Sequence, residues 1–468
     1  MKIHFIGIGG IGVSALAKYY LKKSHKVSGS DLVSSEITEA LKKEGAKIRT
    51  GKHFAKNLPE NTDLVIYSPA VQPDNPELKE AKKRKIKIQS YPEALGELTK
   101  KHFTIAVSGT HGKSTTTAMI GLLLIKAGFD PTVIVGTKLK EFGDSNCKVG
   151  KSQYLVIEAD EHMASFLNYW PKIIVLTTIE ADHLDYYKNL KNILKTFKKY
   201  IGHLPKDGSL VANKDCSNIQ KVVREPSFTY SLKQKEAKKL RKILKVPGEH
   251  NVSNALAALT VAQVLKVPDK ISFKALSEYR GSWRRFEEKN VTWNGKRITI
   301  ISDYAHHPTE VKVTLQATRG KYARRKIWCV FQPHQYQRTF YLFGDFVKVL
   351  RQALRPGHSA ELSRSPQGKP LIDRLIITDI YDVAGREKKK IKEKVSSEKL
   401  VKFINKPSVI YQAHKNLCAA VYLPKEKIIE YLRKNLEGKG QVLIIMGAGD
   451  VYDLTLRLTK DAKNKKIK

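Results

Sequence analysis

Short apolar, β-branched runs alternate with longer helical stretches along the first 99 residues of the chain. The first apolar run, residues 2–6, leads into a glycine-containing turn, and an apolar pattern with helical period follows over residues 13–22. Residues 25–30 and 63–68 are further strand-like runs. Alternating strands and helices are typical of a parallel sheet, so the pattern predicts such a sheet here.

The same alternation recurs twice more, and 468 residues exceed what one hydrophobic core normally supports. The further strand candidates are residues 104–108, 154–158, 172–177, 298–303, 326–331, 374–379 and 441–446, and a helix is predicted near residues 251–264. The predicted fold class is therefore α/β with three domains. A Rossmann-like N-terminal domain is expected at 1–99, a central P-loop ATPase-type domain with a parallel sheet at 100–284, and a Rossmann-like α/β C-terminal domain at 285–468.

The turn after the run at 104–108 has the composition of a phosphate-binding loop. It reads Gly-Thr-His-Gly-Lys-Ser over residues 109–114, between a strand and a helix. Backbone N–H groups of such a turn face phosphates, and the helix adds its positive dipole end. Lys113 can reach the outer phosphates, and the Ser114 hydroxyl can join a Mg²⁺ shell. Val107 stands where the usual pattern has its first glycine, so the loop is a shortened form.

A second glycine pattern, Gly7-x-Gly9-x-x-Gly12, follows the first strand, and Asp31 lies nineteen residues beyond Gly12. This spacing indicates a diphosphate held at a helix N-terminus, with Asp31 near a ribose or base. Any nucleoside diphosphate would fit this glycine spacing. The pattern alone therefore does not specify NAD.

Acidic residues follow two of the buried-strand candidates of the central domain. Glu158 ends one of them and is a natural second protein ligand for Mg²⁺; the alternative is a solvated carboxylate at a strand end. His183, between Asp182 and Asp185, follows the other, which favours a metal or phosphate role over a structural one.

Amides and guanidinium groups supply further candidates. Asn251 and Asn254 are three residues apart near a helix start, where they could read an adenine edge or, for Asn251, cap the helix. Arg284 and Arg285 at a domain junction suit phosphate binding. Arg338 is a candidate carboxylate clamp.

Two further turns are less decisive. His306 and His307 are adjacent, so in extended chain they point to opposite sides and are not expected to hold one ion together. The turn at 447–450 could be a ligand contact or simply a tight turn.

Composition narrows the class of protein. The hydrophobic content of 41% fits globular material, and no run approaches the roughly 18 to 20 apolar residues of a membrane helix. The first residues read as a strand rather than a signal peptide, and the four scattered cysteines fit free thiols in a reducing cytoplasm. The formal charge of +40 could indicate a nucleic-acid partner, but the lysines form no aromatic-interleaved cluster and are interpreted as solvated faces.

The ordered set of motifs resembles the Mur ligase family of peptidoglycan synthesis. The matching segments are residues 7–12, 109–114, 158–161, 180–185, 250–254, 284–286, 303–310, 331–339 and 447–450, and they span nearly the whole chain. The resemblance implies that ATP phosphorylates the lactyl carboxylate of UDP-N-acetylmuramate and that the amine of L-alanine attacks the acyl phosphate. Two anions meet in the first step, so cationic groups carry much of the catalysis.

The resemblance also implies residue roles, with ATP and Mg²⁺ as cofactors. The implied catalytic residues are Lys113, Glu158, His183 and Arg285, and the implied metal ligands are Ser114, Glu158 and His183. The implied ATP contacts are Gly109, Thr110, His111, Gly112, Lys113, Ser114, Thr115, Asn251, Asn254 and Asp303. The implied substrate contacts are Gly9, Gly10, Ile11, Gly12, Ser30, Asp31, Ser68, Tyr304, His306 and Arg338. A cytoplasmic monomer or homodimer is expected, without nucleic-acid or membrane partners.

The chain departs from the family pattern in places that leave the reaction class untouched. Ser302 stands where an aspartate is frequent, Thr178 where an asparagine is usual, and His162-Met163 where Ser-Asp is common. The segment 355–370 is a longer exposed loop than expected.

Three alternatives remain open from the sequence. The nearest is a recycling ligase that attaches a preformed tripeptide to the same sugar nucleotide. The others are a basic P-loop protein that binds nucleic acid and a nicotinamide-dependent oxidoreductase.

Overall fold

The computed structural model describes residues 1–354, 369–383, 389–406, 420–436 and 440–464, with side chains up to residue 460. Its strands form three sheets, each flanked by helices, which confirms the predicted α/β class with three parallel-sheet domains. The predicted loop at 355–370 lies almost entirely outside the described residues.

The N-terminal sheet contains five parallel strands. They are β1 (Lys2–Ile6), β2 (Lys26–Asp31), β3 (Lys47–Thr50), β4 (Leu64–Tyr67) and β5 (Lys87–Ser90), in the spatial order β3-β2-β1-β4-β5. Its helices are α1 (Ile11–Lys22), α2 (Glu36–Lys43), α3 (Pro76–Lys83) and α4 (Tyr91–Lys101). The central position of β1 explains its apolar run, because a parallel strand is covered on both faces.

The central sheet contains seven strands. They are β6 (Phe103–Ser108), β7 (Thr132–Leu139), β8 (Ser145–Lys148), β9 (Tyr154–Ala159), β10 (Ile173–Leu176), β11 (Ser209–Asn213) and β12 (Phe228–Tyr230), in the order β12-β11-β10-β6-β9-β7-β8. The helices in this part of the chain are α5 (Lys113–Lys126), α6 (Leu184–Tyr187), α7 (Leu190–Ile201), α8 (Ser217–Val222), α9 (Lys235–Ile243), α10 (Glu249–Val264) and α11 (Asp269–Glu278). Of these, α6 and the first residues of α10 belong to the compact unit of the C-terminal sheet. Only β8 pairs antiparallel in this sheet, as an edge strand against β7. Because β6 lies between β9 and β10, the turns that follow these three strands meet at one edge.

The C-terminal sheet contains six strands. They are β13 (Glu287–Trp293), β14 (Lys296–Asp303), β15 (Ile327–Phe331), β16 (Arg374–Ile377), β17 (Ala420–Tyr422) and β18 (Gln441–Met446), in the order β13-β14-β18-β15-β16-β17. The helices are α12 (Pro308–Lys321), α13 (Tyr336–Tyr341), α14 (Phe343–Leu354), α15 (Lys389–Lys392), α16 (Ser397–Asn405), α17 (Lys425–Asn435) and α18 (Tyr452–Asn464). All pairs are parallel except β13 with β14. Separate apolar clusters cover the two faces of this sheet.

Tertiary contacts divide the chain into two compact units. The first unit comprises Met1–Ala181, Asn189–Leu244 and Val252–Ser282 and holds the N-terminal and central sheets. The second unit comprises Asp182–Lys188, Lys245–Asn251 and Trp283–Lys468 and holds the C-terminal sheet. The boundary expected between residues 99 and 100 falls inside α4. The three predicted domain ranges stay predictions.

Within the first unit, polar contacts join the two sheets. The Asn146 side-chain amide on β8 donates to the Ile11 carbonyl at 2.6 Å and to Ser14 Oγ at 2.9 Å. The Lys18 ammonium donates to Ser145 Oγ at 3.1 Å. These contacts fix α1, and with it the glycine turn that precedes α1, against the central sheet.

Among the described residues, no helix has the length and apolar character needed to cross a membrane. Cys147, Cys216 and Cys329 are free thiols, in line with the sequence, whereas Cys418 lies outside the described residues. Burial raises the pKa of the Cys147 and Cys329 thiols to about 12, so neither is a nucleophile at neutral pH.

Candidate functional site

The turn between β1 and α1 is held by residues at the end of β2. The N–H groups of Gly7 and Ile8 donate to the Ser30 carbonyl at 2.9 and 3.1 Å, and the Gly9 N–H donates to Asp31 Oδ2 at 2.8 Å. Gly7 has φ +75°, and a Cβ there would lie 2.9 Å from the Ser68 Cβ. The glycine turn is therefore a preformed backbone cradle at the N-terminus of α1, as a diphosphate site requires.

The polar side chains at the end of β2 face this turn and the protein interior. Ser30 is 1% exposed, and its hydroxyl donates to Glu77 Oε2 at 2.8 Å. The side chain is thus engaged within the protein, and its role as a substrate contact stays a prediction. The Asp31 carboxylate accepts from Gly9 and from the Val33 N–H. Both residues shape the cradle rather than project freely from it.

Glu77 is a buried residue that the sequence analysis missed. Its carboxylate lies 2.7 Å from His4 Nε2 and 2.6 Å from His53 Nδ1, in addition to the contact with Ser30. Burial acts to raise the pKa of Glu77, but hydrogen bonds from the two histidines outweigh it and hold the pKa below its usual value. Glu77 is on α3, far in sequence from its partners, so no local pattern indicates it.

Replacing Glu77 by glutamine is expected to lower stability in a pH-dependent way. Because the pKa of Glu77 is depressed in the folded protein, the ionised carboxylate stabilises the fold above the unfolded-state pKa of about 4.3. That contribution is lost as the pH falls through the lower, folded-state pKa. The difference in free energy of unfolding between wild type and Glu77→Gln should be about 1.5 to 3 kcal/mol at pH 7 and shrink below about pH 4.

Denaturant unfolding of both proteins from pH 3 to 7 measures this difference. Glu60→Gln, at an exposed position of the same domain, serves as the control. A difference that stays constant across the pH range would contradict the ionic role of Glu77.

The loop between β6 and α5 has the conformation expected of a phosphate-binding loop. Gly109 and Gly112 have φ +137° and +84°, and a Cβ on Gly109 would lie 2.2 Å from Thr177 Oγ1. The Thr110 N–H donates to the Thr178 carbonyl at 2.8 Å, and the His111 N–H donates to Thr178 Oγ1 at 3.0 Å. Thr178, one of the departures from the family pattern, thus holds this loop with both its backbone and its hydroxyl.

Lys113, the first residue of α5, lies beside acidic residues that follow β9. Its ammonium donates to Glu161 Oε2 at 2.8 Å and to the Gly109 carbonyl at 2.7 Å, and Asp160 lies 3.6 Å away. Burial acts to lower the pKa of Lys113, but these carboxylates outweigh it and hold the pKa above its usual value. Lys113 therefore stays cationic where phosphate oxygens are expected.

Ser114 and Glu158 form a pair of hard oxygen donors. Ser114 Oγ donates to Glu158 Oε2 at 3.1 Å, and Glu158 Oε1 accepts the Gly136 N–H. A Cβ on Gly136 would lie 3.0 Å from both carboxylate oxygens, so a side chain at position 136 would crowd the carboxylate and require it to shift. A hydroxyl and a carboxylate with adjacent oxygen atoms fit the ligand preference of Mg²⁺.

The two asparagines near the start of α10 are both engaged. Asn254, in the first unit, accepts from Thr116 Oγ1 at 3.2 Å, and a Cβ on Gly112 would lie 2.5 Å from its Oδ1. Asn254 therefore lies directly against the phosphate loop. Asn251, in the second unit, donates to the Pro247 carbonyl at 2.7 Å. Because α10 already begins at Glu249, the reading of Asn251 as an N-cap is wrong.

The adjacent arginines at the start of the second unit have different surroundings. Arg284 is buried and donates to the Gly447 and Gly449 carbonyls at 2.5 and 2.9 Å, so it stabilises the turn after β18. Arg285 is more exposed; its guanidinium lies 5.0 Å from the Tyr304 ring centroid and 4.0 Å from Glu310. Of the two, Arg285 is the better candidate for contacting an anionic ligand. These hydrogen bonds favour the interpretation of residues 447–450 as a tight turn over that of a ligand contact.

Asp303, at the end of β14, is largely engaged with its own domain. Its carboxylate accepts from the N–H groups of Phe286 and Ala305, both at 2.8 Å, and burial raises its pKa. The neighbouring departure, Ser302, is buried and hydrogen-bonded to Thr455 Oγ1 at 2.6 Å. Ser302 therefore satisfies its hydroxyl within the domain and carries no charge into this buried position.

Arg338 and Asp182 form a buried ion pair in the second unit. Arg338 Nε and Nη2 lie 3.0 and 3.3 Å from the two Asp182 oxygens, while Nη1 faces His334 Nδ1 and Gln335 Oε1 at 3.3 Å. Arg338 overcomes the effect of burial and holds the pKa of Asp182 well below its usual value. The predicted carboxylate clamp is thus preoriented by an acidic partner that the sequence analysis assigned only as a flank of His183.

His306 and His334 lie next to this ion pair as neutral imidazoles. Burial is the main reason that the pKa of His306 falls to about 4 and that of His334 to about 2. His306 Nδ1 lies 2.9 Å from the Tyr304 carbonyl, which can only accept, so this nitrogen carries the proton. Its Nε2 is therefore a hydrogen-bond acceptor.

His183 also lies in the second unit, at φ +51° immediately before α6, with Nε2 3.7 Å from Asp182 Oδ2. It lines a pocket of that unit together with Asp182, Asp185, Gln335, Arg338 and Tyr341. The sequence-predicted residues are thus placed in three groups: the glycine turn of β1, the phosphate loop with its acidic neighbours, and the histidine and arginine cluster of the second unit.

Most of the chain matches models of the Mur ligase domains. The matches are to the Mur ligase family catalytic domain over residues 2–103, the Mur ligase middle domain over 107–262 and the Mur ligase glutamate ligase domain over 284–449. The chain therefore belongs to the Mur ligase family, a set of ATP-dependent ligases.

Individual proteins that are similar to this chain indicate which member of that family it resembles. The chain is 39% identical to UDP-N-acetylmuramate–L-alanine ligase of Acetivibrio thermocellus over 489 residues, with 98% of this chain and 96% of that protein covered. It is 41% identical to the enzyme of the same name from Clostridium acetobutylicum, with 97% and 96% covered. The solved structure of UDP-N-acetylmuramate-alanine ligase from Thermotoga maritima is similar along 100% of both chains, with a TM-score of 0.77 and 28% identity.

Proposed function

We propose that this protein is an ATP-dependent ligase that joins the lactyl carboxylate of UDP-N-acetylmuramate to L-alanine in the synthesis of peptidoglycan precursors. Relatives of this name match at 37–41% identity over nearly the full chain. The observation that carries the proposal for this chain is the phosphate loop, with Lys113 against its backbone and the Ser114–Glu158 pair beside it. We further propose a cytoplasmic monomer or homodimer.

The first step forms an acyl phosphate. A lactyl carboxylate oxygen attacks the γ-phosphorus of ATP, and ADP leaves. Lys113 and the N–H groups of loop 109–114 hold the phosphates and offset the charge of the two approaching anions. Ser114 and Glu158 would hold Mg²⁺, which would supply further charge neutralisation, and His183 would be a ligand of a second ion. Glu161 and Asp160 hold the Lys113 side chain in place.

The sugar nucleotide places its diphosphate at the cradle of residues 7–12. Gly9, Gly10, Ile11 and Gly12 offer backbone groups at the N-terminus of α1. Ser30 and Asp31 contribute by holding this backbone, as their hydrogen bonds indicate.

The second step forms the amide bond. The α-amine of L-alanine attacks the acyl carbonyl carbon, the C–O bond to phosphate breaks, and inorganic phosphate leaves. Tyr304, His306 and Arg338 are proposed to form the amino-acid site, with Arg338 binding the carboxylate. L-Alanine enters with an ammonium group, and the neutral His306 Nε2 can accept a hydrogen bond from it without repelling its positive charge. The ammonium group loses one proton before the amine attacks. Arg285 and Asp303 are proposed nucleotide contacts.

The proposed function predicts that ADP release requires two co-substrates. Purified protein with ATP and Mg²⁺ should release ADP and phosphate in equal amounts only when UDP-N-acetylmuramate and L-alanine are both present, because the acyl phosphate needs an acceptor amine. A coupled ADP assay, with mass spectrometry of the sugar nucleotide, measures this.

The same assay separates the alternatives. A tripeptide in place of L-alanine tests the recycling ligase, and a panel with glycine and L-serine tests the strictness of the site. Equal ADP release without the sugar nucleotide would refute the proposed function.

A further inference from the structure

Tyr91 lies beside the glycine cradle of the first unit, and neither anion-binding loop motif includes it. It is the first residue of α4 and directly follows β5. Ser90 caps α4: its hydroxyl accepts the Glu93 N–H, and Glu93 Oε2 accepts the Ser90 N–H at 2.7 Å. Such a reciprocal cap fixes the backbone of the first turn. The position of the Tyr91 ring is therefore set by the fold.

One side of the Tyr91 ring lies against the glycine cradle. A Cβ on Gly12, in the first turn of α1, would lie 2.8 Å from both Cζ and Oη of Tyr91. Any side chain at position 12 would displace the phenol group. The third glycine of the motif thus gives Tyr91 Oη its place at the helix N-terminus where the diphosphate is expected.

The phenol group is also coupled electrostatically to carboxylates of the ATP-binding half of the unit. Burial and then the negative charges of Glu158 and Asp160 raise the pKa of Tyr91. These carboxylates flank the Ser114 and Lys113 side chains. The phenol group therefore packs against the glycine cradle, and the negative charges beside the phosphate loop act on it across the unit.

The hydroxyl of Tyr91 has no hydrogen-bond partner among the residues that the structure describes. It stays protonated at neutral pH, so it offers one O–H donor. Packing against Gly12 needs only the ring, which phenylalanine would supply equally well. A partly buried hydroxyl at the glycine cradle can donate to an anionic oxygen of a bound ligand.

We propose that Tyr91 donates its phenolic O–H to an anionic oxygen of the sugar nucleotide, at the point where that substrate passes from the glycine cradle to the phosphate loop. This inference rests on the proposed function for the identity of the substrate. The acceptor is either a diphosphate oxygen or the lactyl carboxylate, which share the same chemistry. A neutral donor suits this place because the ligand oxygen and the nearby carboxylates are all anionic.

The test compares Tyr91→Phe with Tyr20→Phe. Tyr20 is also half-buried and lies on α1 like Gly12, but about 12 Å further along the helix, where it packs on Phe5 and His25. Binding of UDP-N-acetylmuramate by calorimetry, the KM values of all three substrates and the melting temperature are measured for both variants.

Tyr91→Phe should weaken sugar-nucleotide binding, and raise its KM, about 10- to 100-fold, as expected for a hydrogen bond to a charged group. The KM for ATP and the melting temperature should stay at the wild-type values, and Tyr20→Phe should change neither affinity. Unchanged sugar-nucleotide affinity in Tyr91→Phe would overturn the proposal. A loss of ATP affinity together with a lower melting temperature would overturn it too, because it would indicate a packing role.

UDP-N-acetylglucosamine, which carries the diphosphate but no lactyl carboxylate, identifies the acceptor. If the acceptor is the diphosphate, the inhibition constant of UDP-N-acetylglucosamine should rise in Tyr91→Phe. If the acceptor is the carboxylate, that inhibition constant should stay unchanged while the KM for UDP-N-acetylmuramate rises. Calorimetry needs no turnover. A wild-type protein that binds UDP-N-acetylmuramate without alanine-dependent ADP release would therefore refute the proposed function and leave Tyr91 testable.

Discussion

Replacing Lys113 by alanine is expected to lower kcat at least about 100- to 1,000-fold, because one preorganised cation at the transferring phosphoryl group is lost. The Lys113 ammonium is buried between Glu161 and the loop backbone, so no neighbouring cation can replace it easily. Steady-state ADP release with saturating UDP-N-acetylmuramate and L-alanine measures the effect.

Stability must be separated from catalysis in this variant, because Lys113→Ala leaves Glu161 buried without its cation. The double variant Lys113→Ala/Glu161→Gln removes the stranded carboxylate and should recover melting temperature but not turnover. Lys126→Ala, at the exposed end of α5, is the matched control and should behave as wild type. Turnover within tenfold of wild type in Lys113→Ala would contradict the assignment of this loop.

Replacing Glu158 by glutamine is expected to raise the Mg²⁺ concentration needed for half-maximal activity at least about tenfold and to lower kcat. The amide keeps the size of the side chain and can still accept hydrogen bonds, but it loses the negative charge that a hard cation prefers. Titration of ADP release with MgCl₂ measures this, and excess Mg²⁺ should restore part of the activity.

Glu141→Gln, on the exposed turn Lys140–Phe142, is the control for loss of one negative charge in the same domain. An unaltered Mg²⁺ dependence in Glu158→Gln would show that the carboxylate serves only to bind Ser114 and Gly136. Removal of Mg²⁺ with EDTA should abolish ADP release in the wild type.

The sequence located the glycine turn and the phosphate loop because both depend on local backbone geometry. Glycines at positive φ, an apolar strand before them and a helix after them are properties of consecutive residues. Glu158 was placed correctly beside Ser114 for a related reason, since parallel strands end at the same edge of a sheet.

The direction and partners of polar side chains were not predictable in the same way. The resemblance implies Ser30 as a substrate contact, but its hydroxyl donates to Glu77, 47 residues away. The partner of Arg338 is Asp182, 156 residues away, and nothing in either local pattern specifies that pairing. A strand pattern predicts on which side of the sheet a residue lies. It does not predict which residue from a distant part of the sequence contacts it.

The boundaries of elements were also less predictable than their type. The helix with Asn251 begins two residues earlier than expected, so the amide is inside the helix and bonds to Pro247. The antiparallel edge strands β8 and β13 carry little apolar signal, because an edge strand is less completely covered than a central one.

The central claim is that phosphate passes from ATP to the lactyl carboxylate before alanine attacks, and isotope transfer tests it most directly. UDP-N-acetylmuramate with both lactyl carboxylate oxygens replaced by ¹⁸O is incubated with the protein, ATP, Mg²⁺ and L-alanine, and the inorganic phosphate is analysed by mass spectrometry. The account predicts one ¹⁸O atom in each phosphate released and one in the new amide. Amide product accompanied by phosphate without ¹⁸O would contradict it.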